Sequence, residues 1–523
     1  MGKSHIVIVL VNSYMISIEW RLKISFGVVM ISLVMLNATI WSSEVKATVG
    51  VSSSFDLSKP FLTDKEPYIS LVNTSFNNST SSVKPLITSG EQLSNNYTFA
   101  NIPDGLGAVQ IINGTVDVFV NHELENKTDH GGFAKVSKLR LNQTDGSIMG
   151  AELIINGSEG YKRFCSASII EGYGFEHPIF FTNEEVGDGN VLAIDAVNRT
   201  VTKMPWLGKF SHENTIHVPY FSNTINKTVL LGFEDGEPTE SEVYMYVADT
   251  PKDLMTGRGQ LYVFGSISNA TNAATENQSS TSGSWNEIYF SNGTINGKFI
   301  PLKWDYKTQN ETDLDNEAIV AGGFQFIRAE DGALDKRENM QNILYMADTG
   351  SETDENDKII PAGINGQDWT NGRIYKFTFT DMKDPTKALF EVIMDGNDPL
   401  ALGYNELKNP DNVDTSINNL VINEDFIDVN RLNATAPYDI TNNAKILRVD
   451  INNQKTTNGA KNNTETIAYV NQSEDMAAKH GDWESSGILD VSKYFGKGSW
   501  LTSVQAHTFK EGGQLLLLNI SGS

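Results

Sequence analysis

Cys165 is the single cysteine of this chain of 523 residues, and the pair Glu184-Glu185 follows it at the end of an apolar run. Carboxylates are hard oxygen ligands that suit calcium, whereas a thiolate favours a softer or transition metal. A thiol close to carboxylates therefore predicts an iron site with calcium nearby. The alternative is that a lone cysteine between apolar neighbours is buried and inert.

Glu184 and Glu185 are consecutive, so on a regular strand their side chains point to opposite faces. Either one is a metal ligand and the other is solvated, or the turn at Gly187-Asp188-Gly189 bends the strand so that both bind. The alternative is that both are solvated turn carboxylates.

His122 and His212 are each followed by a glutamate, Glu123 and Glu213. Each histidine is a candidate metal ligand or proton shuttle. The alternative for each is a hydrogen-bonded histidine at a strand end. Further acidic groups at predicted strand ends are Glu234, Asp235, Asp348 and Asp411.

Short runs of β-branched and aromatic residues, bounded by Gly, Asn, Asp and Pro, follow one another from about residue 96 onward. This pattern is typical of strands and predicts an all-β chain. Strands are predicted over residues 115–121, 178–182, 190–195, 228–233, 242–247, 260–264, 342–346, 372–379, 388–394, 444–450 and 514–520.

One strand pattern occurs twice, at 243–264 and at 343–377. In each, a strand ends at Asp-Thr, a connecting segment follows, and the next strand begins with glycine. No linker divides the chain at its midpoint. Radial repetition closes so many strands without long free edges, so we predict a β-propeller with loop insertions on one rim. Its inner strand ends would gather distant side chains around a central channel.

Acidic residues outnumber basic ones by 65 to 40, and the formal net charge is -25. Such a charge disfavours nucleic acid and anionic lipid as partners. The surplus carboxylates are candidates for divalent or trivalent cations, and the alternative is that they only maintain solubility. We expect a monomer.

The N-terminus is predicted to be a targeting segment. Arg21 and Lys23 precede an apolar run over residues 24–40, and residues 45–47 offer small side chains at the positions that a signal peptidase reads. Residues 1–47 are therefore predicted to be a signal peptide. The alternative is an uncleaved N-terminal anchor, and only then is membrane contact expected.

Acceptor sites for N-glycosylation, including Asn96, Asn113 and Asn198, predict a glycoprotein that is secreted or held at the cell surface. Residues 48–95 are rich in Ser, Asn and Thr and are predicted to be a spacer. The propeller is then assigned to residues 96–523.

The chain resembles the PhoX-type alkaline phosphatases and their secreted relatives from about residue 105 to the C-terminus. The motifs that carry the resemblance lie at 121–123, 165–185, 208–214, 232–237, 347–349, 483–488 and 504–507. The resemblance implies a six-bladed propeller and a calcium-dependent hydrolase of phosphate esters. It also implies iron bridged in a cluster that has a cysteine ligand.

By position, the resemblance makes Cys165 and one of Glu184 or Glu185 iron ligands. Candidate ligands for iron or calcium are Glu123, Glu213, Glu234, Asp235, Asp348 and Asp411. No side chain is expected to act as nucleophile, because a metal-bound water would attack, with His212 or His122 as the candidate proton carriers. No motif marks an arginine clamp for phosphate.

The leading hypothesis is a secreted, metal-dependent phosphoesterase that acts on small phosphate esters. A first rival is a non-catalytic cell-surface propeller, stabilised by calcium, that binds a glycan or a protein. A second rival is a lactonase or phytase-like hydrolase that uses calcium alone, for which Pro410-Asp411-Asn412 is the hint.

Overall fold

The computed structural model describes residues 55–72, 81–127, 132–236, 241–266, 285–287, 294–351, 371–397, 407–425, 443–452, 464–473, 483–507, 509 and 512–520. The predicted signal peptide or anchor, residues 1–47, lies outside these ranges. Within them, no helix combines the length and the apolar character needed to span a bilayer.

Strands make up most of the described chain. The first twelve are β1 (Asp56–Phe61), β2 (Ile69–Leu71), β3 (Ser82–Thr88), β4 (Pro103–Val109), β5 (Thr115–Lys127), β6 (Gly132–Asn142), β7 (Ile148–Ile155), β8 (Phe164–Ile170), β9 (Ile179–Glu184), β10 (Val191–Asp195), β11 (Val201–Lys203) and β12 (His212–His217). The next eight are β13 (Thr228–Glu234), β14 (Val243–Ala248), β15 (Gly259–Ser266), β16 (Trp285–Asn286), β17 (Thr294–Pro301), β18 (Phe324–Gln325), β19 (Ala329–Leu334) and β20 (Ile343–Asp348).

The remaining strands are β21 (Arg373–Phe379), β22 (Lys387–Asp395), β23 (Pro410–Thr415), β24 (Asn419–Glu424), β25 (Lys445–Asp450), β26 (Thr464–Val470), β27 (Trp483–Asp490), β28 (Ser499–Ala506) and β29 (Gly513–Asn519). The helices are short: α1 (Pro219–Ile225), α2 (Pro251–Leu254), α3 (Glu311–Ala321), α4 (Ser492–Phe495) and a 3-10 turn at Pro205–Leu207. Every predicted strand corresponds to an observed one.

The larger sheets are antiparallel ladders of strands that follow one another in the chain. Their orders are β4-β5-β6-β7-β1, β8-β9-β10-β11, β23-β24-β25-β26-β2, β27-β28-β29-β3 and a nine-stranded sheet, β12-β13-β14-β15-β17-β22-β21-β20-β19. The nine-stranded sheet holds two four-stranded units, led by β12 and β19, which are joined at their outer edges through β17.

Six strands, β4, β8, β12, β19, β23 and β27, each begin a four-stranded unit, and we call them the first strands. They contact one another in that cyclic order, and β27 contacts β4 to close the circle. The prediction of an all-β propeller is confirmed. Because the circle is closed, the starts of the first strands meet around one axis.

Three N-terminal strands belong to this arrangement. β1 pairs with β7, β2 with β26, and β3 with β29. The interpretation of residues 48–95 as a spacer therefore does not hold for these segments. Their backbone groups complete sheet ladders, and Leu86 and Ile87 of β3 are fully buried.

Apolar side chains fill the spaces between neighbouring sheets. One cluster includes Phe210, Leu230 and Val263, and the helix α3 adds Leu314 and Ala318 to it. The helix begins with a capping box and ends at Gly322, whose φ of 91° is left-handed. The core thus fixes α3 against the sheet that carries β12 to β15.

Candidate active site

The second residue of each first strand carries an ionisable side chain. These six residues, called the inner ring below, are Asp104, Cys165, Glu213, Glu330, Asp411 and Glu484. All six are buried. Because the first strands surround one axis, equivalent positions on them converge.

Donor atoms of the inner ring lie close together. Three groups of three residues bring their donor atoms together. In each group, one donor atom of every residue lies within 4.8 Å of those of the other two. The groups are Asp104–Glu123–Cys165, Cys165–Glu185–Glu213 and Glu213–Glu330–Asp411. Cys165 and Glu213 each belong to two groups, so the donors form one continuous series. The Cys165 Sγ donates a hydrogen bond to Asp104 Oδ2 at 3.1 Å.

A second set of side chains, called the outer ring, comes from the second strand of each unit. In each unit, one residue of the second strand pairs with the first residue of the first strand, and the outer-ring member is the next residue along the chain. The members are Glu123, Glu185, Asp235, Thr349, Asp425 and His507. The first five donate their backbone N–H to the carbonyl of the residue just before the first strand, at 2.9 to 3.1 Å. This repeated bond places the outer ring beside the inner ring.

Strand alternation separates Glu185 from Glu184. Glu185 belongs to a donor group with Cys165 and Glu213, whereas Glu184 accepts hydrogen bonds from Lys162 N at 3.3 Å and Asn190 Nδ2 at 3.4 Å. Consecutive strand residues face opposite sides of a sheet, and this decides which of the two carboxylates reaches the axis.

Two other predicted ligands occupy the position equivalent to Glu184. Asp348 accepts from Arg328 N at 3.2 Å and Gly350 N at 3.0 Å, and Glu234 accepts from Glu242 N at 3.1 Å. Neither belongs to a donor group of the inner ring. The structure places Glu184, Glu234 and Asp348 away from the axis, for the same reason of strand alternation.

The two predicted proton carriers are neutral, buried histidines. His122 uses both ring nitrogens, with Asn101 O at 3.1 Å and Ser137 Oγ at 2.7 Å. The Nε2 of His212 contacts Gly208 O at 3.3 Å. Burial lowers the pKa of each to about 3. Both match the alternative of a hydrogen-bonded histidine at a strand end, and neither joins the ring.

The inner ring concentrates negative charge in a buried space. Burial is the main cause that raises the pKa of Glu213 and Asp411 well above the usual range, and neighbouring carboxylates raise it further. Burial and Glu123 raise the pKa of Asp104 to about 7. Burial, then Asp104 and Glu213, also raise the pKa of the Cys165 thiol.

This donor set fits bound cations. The ring offers five carboxylates and one thiol, and the buried Glu213 Oε2 has no hydrogen-bond partner. A buried charge requires a partner, and cations among carboxylates would meet that requirement. The all-oxygen group Glu213–Glu330–Asp411 suits calcium, and the group that contains Cys165 suits iron.

Two arginines stand at the rim of the rings, immediately before β8 and β19. Arg163 Nε lies 2.9 Å from Glu123 Oε1, and its Nη2 lies 2.7 Å from Glu185 Oε1. Arg328 Nη2 lies 2.6 Å from Asp235 Oδ2. Their side chains are 38 % and 31 % exposed, so neither arginine side chain is fully enclosed. The sequence prediction found no such pair, although each arginine precedes an inner-ring residue by two positions.

The backbone is strained where the first strands begin. Ile102, Arg163 and Asn409 have φ values of 49°, 44° and 44° and are not glycine. They occupy equivalent positions, each just before a first strand. Left-handed backbone at such residues costs free energy and is found where the surrounding structure demands it, as at functional sites.

Buried amides support the segment that carries Cys165. A register shift follows Phe164, so the next carbonyls leave the regular ladder. Asn121 Nδ2 donates to Cys165 O at 2.6 Å, and Asn183 Nδ2 donates to Ser166 O at 2.9 Å. These two asparagines therefore fix the direction of the Cys165 side chain.

Sequence reasoning missed three members of the inner ring, Asp104, Glu330 and Glu484. Neither Asp104 nor Glu330 lies in a marked motif, and Glu484 lies within the motif at 483–488 without a predicted role. The signal that would have found them is positional, since every first strand starts with one uncharged residue followed by an acid or a thiol.

Comparison with known proteins identifies the family. The model of the family "Alkaline phosphatase PhoX" matches residues 143–478, which is well over half of the chain. The chain belongs to the PhoX alkaline phosphatase family. This confirms the resemblance seen in the motifs and assigns the chain to a family of phosphoesterases. Cys165, Glu213, Glu330 and Asp411 all lie within the matched span.

A solved structure of this family shows the same fold. PhoX of Pseudomonas fluorescens, in complex with vanadate, a transition state analogue, aligns with a TM-score of 0.58 and 13% identity, over 89% of this chain and 98% of its own. An alpha-L-arabinanase of Penicillium chrysogenum covers 85% of this chain and 99% of its own, at a TM-score of 0.39 and 8% identity. None of the curated proteins compared with the chain matches it in sequence.

Proposed function

We propose that this PhoX-family protein is a metal-dependent phosphoesterase that hydrolyses small phosphate monoesters at the inner ring. One observation carries the proposal: five carboxylates and the only thiol of the chain meet in a buried ring, with two arginines at its rim. Family membership supports the reaction class, and the donor set supports the metals.

The residues divide between two kinds of ion. Cys165, Glu185 and Glu213 would hold iron, because that group contains the thiol. Glu213, Glu330 and Asp411 would hold calcium, because all their donors are oxygen. When bound, such ions supply Lewis-acid activation of the phosphoryl group and of water.

The arginines would bind and orient the substrate. A guanidinium group presents paired N–H donors that match two phosphate oxygens. Ion pairs with Glu123 and Glu185 hold Arg163, and the pair with Asp235 holds Arg328, so both are already in position before a phosphate arrives. Their side chains are partly exposed, which would let the ester approach them.

The test compares wild type with Cys165→Ser. We expect wild type to contain iron and calcium by mass spectrometry and to release phosphate from p-nitrophenyl phosphate. The variant should lose iron, keep calcium and lose activity by roughly two orders of magnitude or more, because serine is a poor ligand for a soft metal site. A purified protein that carries calcium but no iron, and releases no phosphate, would refute the proposal.

The rivals are separated by the same preparation. A large loss of thermal stability in chelator, with no hydrolysis of any ester, would indicate a binding propeller stabilised by calcium. Activity on lactones or phytate with calcium alone would indicate the second rival. A panel of these substrates therefore accompanies the phosphate assay.

We also propose that the protein is exported, on the strength of its N-terminal sequence and acceptor sites. Asn96, Asn113 and Asn198 are exposed, which leaves them accessible to a glycosyltransferase. Fractionation of expressing cells should recover the protein outside the cytoplasm, with a mass that falls after treatment with an N-glycosidase. Recovery of an unmodified protein in the cytoplasm would contradict this.

A further inference from the structure

A second acidic cluster lies on the other face of the sheet that supplies Glu213. Glu234, Glu242 and Asp315 each place one carboxylate oxygen within 4.8 Å of the other two. Glu234 precedes the outer-ring residue Asp235, so the two side chains face opposite sides of the sheet. The cluster is therefore separate from the inner ring.

The cluster is assembled by two strands and one helix. Glu234 ends β13 and lies opposite Glu242, and Glu234 N donates to Glu242 O at 3.2 Å. The two side chains are 2 % and 1 % exposed. Asp315 of α3 lies over them. The charged groups that act most strongly on Glu234 are Glu242 and Asp315, both acidic.

Tyr244 supplies an independent observation. It follows Glu242 by two positions, so both side chains lie on the same face of the strand. The side chain is 1 % exposed, and its hydroxyl has no hydrogen-bond partner. The charges that act on this hydroxyl are led by Glu234, Glu242 and Asp315. A buried hydroxyl without a partner is costly, so an unpartnered hydroxyl beside this cluster indicates a ligand there.

We propose that Glu234, Glu242 and Asp315 bind one calcium ion, whose coordinated water donates a hydrogen bond to the Tyr244 hydroxyl. Calcium–oxygen distances of about 2.4 Å allow two ligands of one ion to be up to about 4.8 Å apart, which these oxygens satisfy. The three donors are carboxylates, which favours calcium over iron. Calcium takes several carboxylates, whereas magnesium usually keeps most of its waters.

The ion would fasten α3 to the sheet. Leu314 and Ala318 already pack into the core beneath the helix. At the start of α3, Glu311 N donates to Asp188 Oδ1 at 2.9 Å, and Asp188 N donates to Glu311 Oε2 at 3.2 Å. Asp188 lies in the turn that follows Glu185. Calcium at this cluster would thus steady a helix that holds the turn beside the inner ring.

The experiment uses the full chain, stripped of metal and then equilibrated with calcium alone. We expect Glu242→Gln and Asp315→Asn each to bind one calcium equivalent fewer than wild type. Glu317→Gln, the same change of charge on α3 outside the cluster, should bind as many as wild type. Asp315 is partly exposed, so its variant should fold even if the buried Glu242 change does not.

Thermal unfolding gives a second readout. In calcium, Asp315→Asn should melt several degrees below wild type, because it lacks a ligand. In chelator it should melt at or above wild type, because the substitution removes like-charge repulsion. An unchanged number of bound calcium ions in both variants, or a stability change that is the same in calcium and chelator, would overturn the proposal. Phosphate release is measured separately, so loss of the proposed function would not affect this result.

Discussion

The two ends of the central channel are built from the same six strands but differ in charge. Where the first strands begin, the inner ring gathers five carboxylates and a thiol. Where they end, a cavity of about 220 Å³ is lined largely by apolar side chains, among them Leu106, Ile216 and Ile488. We call the end where the first strands begin the near end and the other the far end. The near end is an acidic site, and the far end resembles ordinary protein interior.

Charge at the far end is paired locally. Lys336 Nζ lies 2.8 Å from Asp414 Oδ2 and 3.7 Å from Asp490 Oδ2. At the near end, Arg163 and Arg328 pair chiefly with the outer ring, and the inner carboxylates mainly face one another. The far end therefore balances its charges locally, whereas the near end places buried carboxylates beside one another, an arrangement that the proposed cations would balance.

The largest expected effect is on phosphatase activity, which should depend on carboxylates at the near end and not on those at the far end. Glu213 belongs to two donor groups, so Glu213→Gln should lower kcat for p-nitrophenyl phosphate by about 10³-fold, the scale of losing one group that stabilises transition-state charge. Asp414→Asn makes the same chemical change at the far end and should stay within about threefold of wild type once folded. Equal losses in the two variants would remove the functional distinction between the ends.

A smaller effect on activity is expected from the arginines at the rim of the rings. Arg328→Lys keeps the positive charge but loses the planar pair of donors, so kcat/KM should fall roughly 10- to 100-fold and inhibition by inorganic phosphate should weaken. Lys336→Arg at the far end is the matched control and should leave both quantities near wild type. Unchanged phosphate inhibition in Arg328→Lys would mean that Arg328 only supports Asp235.

The smallest effect is a pH dependence of stability in the protein without metal. Burial raises the pKa of Asp104 to about 7, against about 4 in an unfolded chain. Between these values the folded state holds more protons than the unfolded state, so stability should fall as pH rises from about 4 to 7.

Melting temperatures measured across this range, in chelator and in calcium, check the dependence. Calcium should flatten the slope, because the carboxylates then ionise against a cation. A metal-free protein whose melting temperature rises steadily from pH 4 to 7 would show that the inner ring is not under electrostatic strain.

Much of the fold was predictable because strand patterns are local. The repeated apolar runs that form β14, β15, β20 and β21 predicted a propeller, and the motifs identified its family. The N-terminal strands were missed because residues 48–95 are polar on average, and their pairing with β7, β26 and β29 joins segments far apart in the chain.

The site was predictable only in part, because the direction of a side chain depends on register. Cys165, Glu213, Glu185 and Asp411 were predicted from their residue types and do converge. Glu184 differs from Glu185 by a single position, and strand alternation sends it to the other face. No composition or motif signals that choice.

His122 shows a second limit. Its partners, Asn101 O and Ser137 Oγ, belong to different parts of the chain, and only the folded structure brings them together. The same holds for the arginines at the rim, since Glu123 reaches Arg163 and Asp235 reaches Arg328 from the preceding units.

The pairing of β3 with β29 has a consequence for how the protein is made. β3 is synthesised long before β29, because the other strands of the propeller lie between them in the chain. Until β29 pairs with both β28 and β3, the four-stranded unit led by β27 is incomplete. This unit can therefore be completed only after β29 has been synthesised, and a chain truncated before Gly513 should fail to assemble the closed circle.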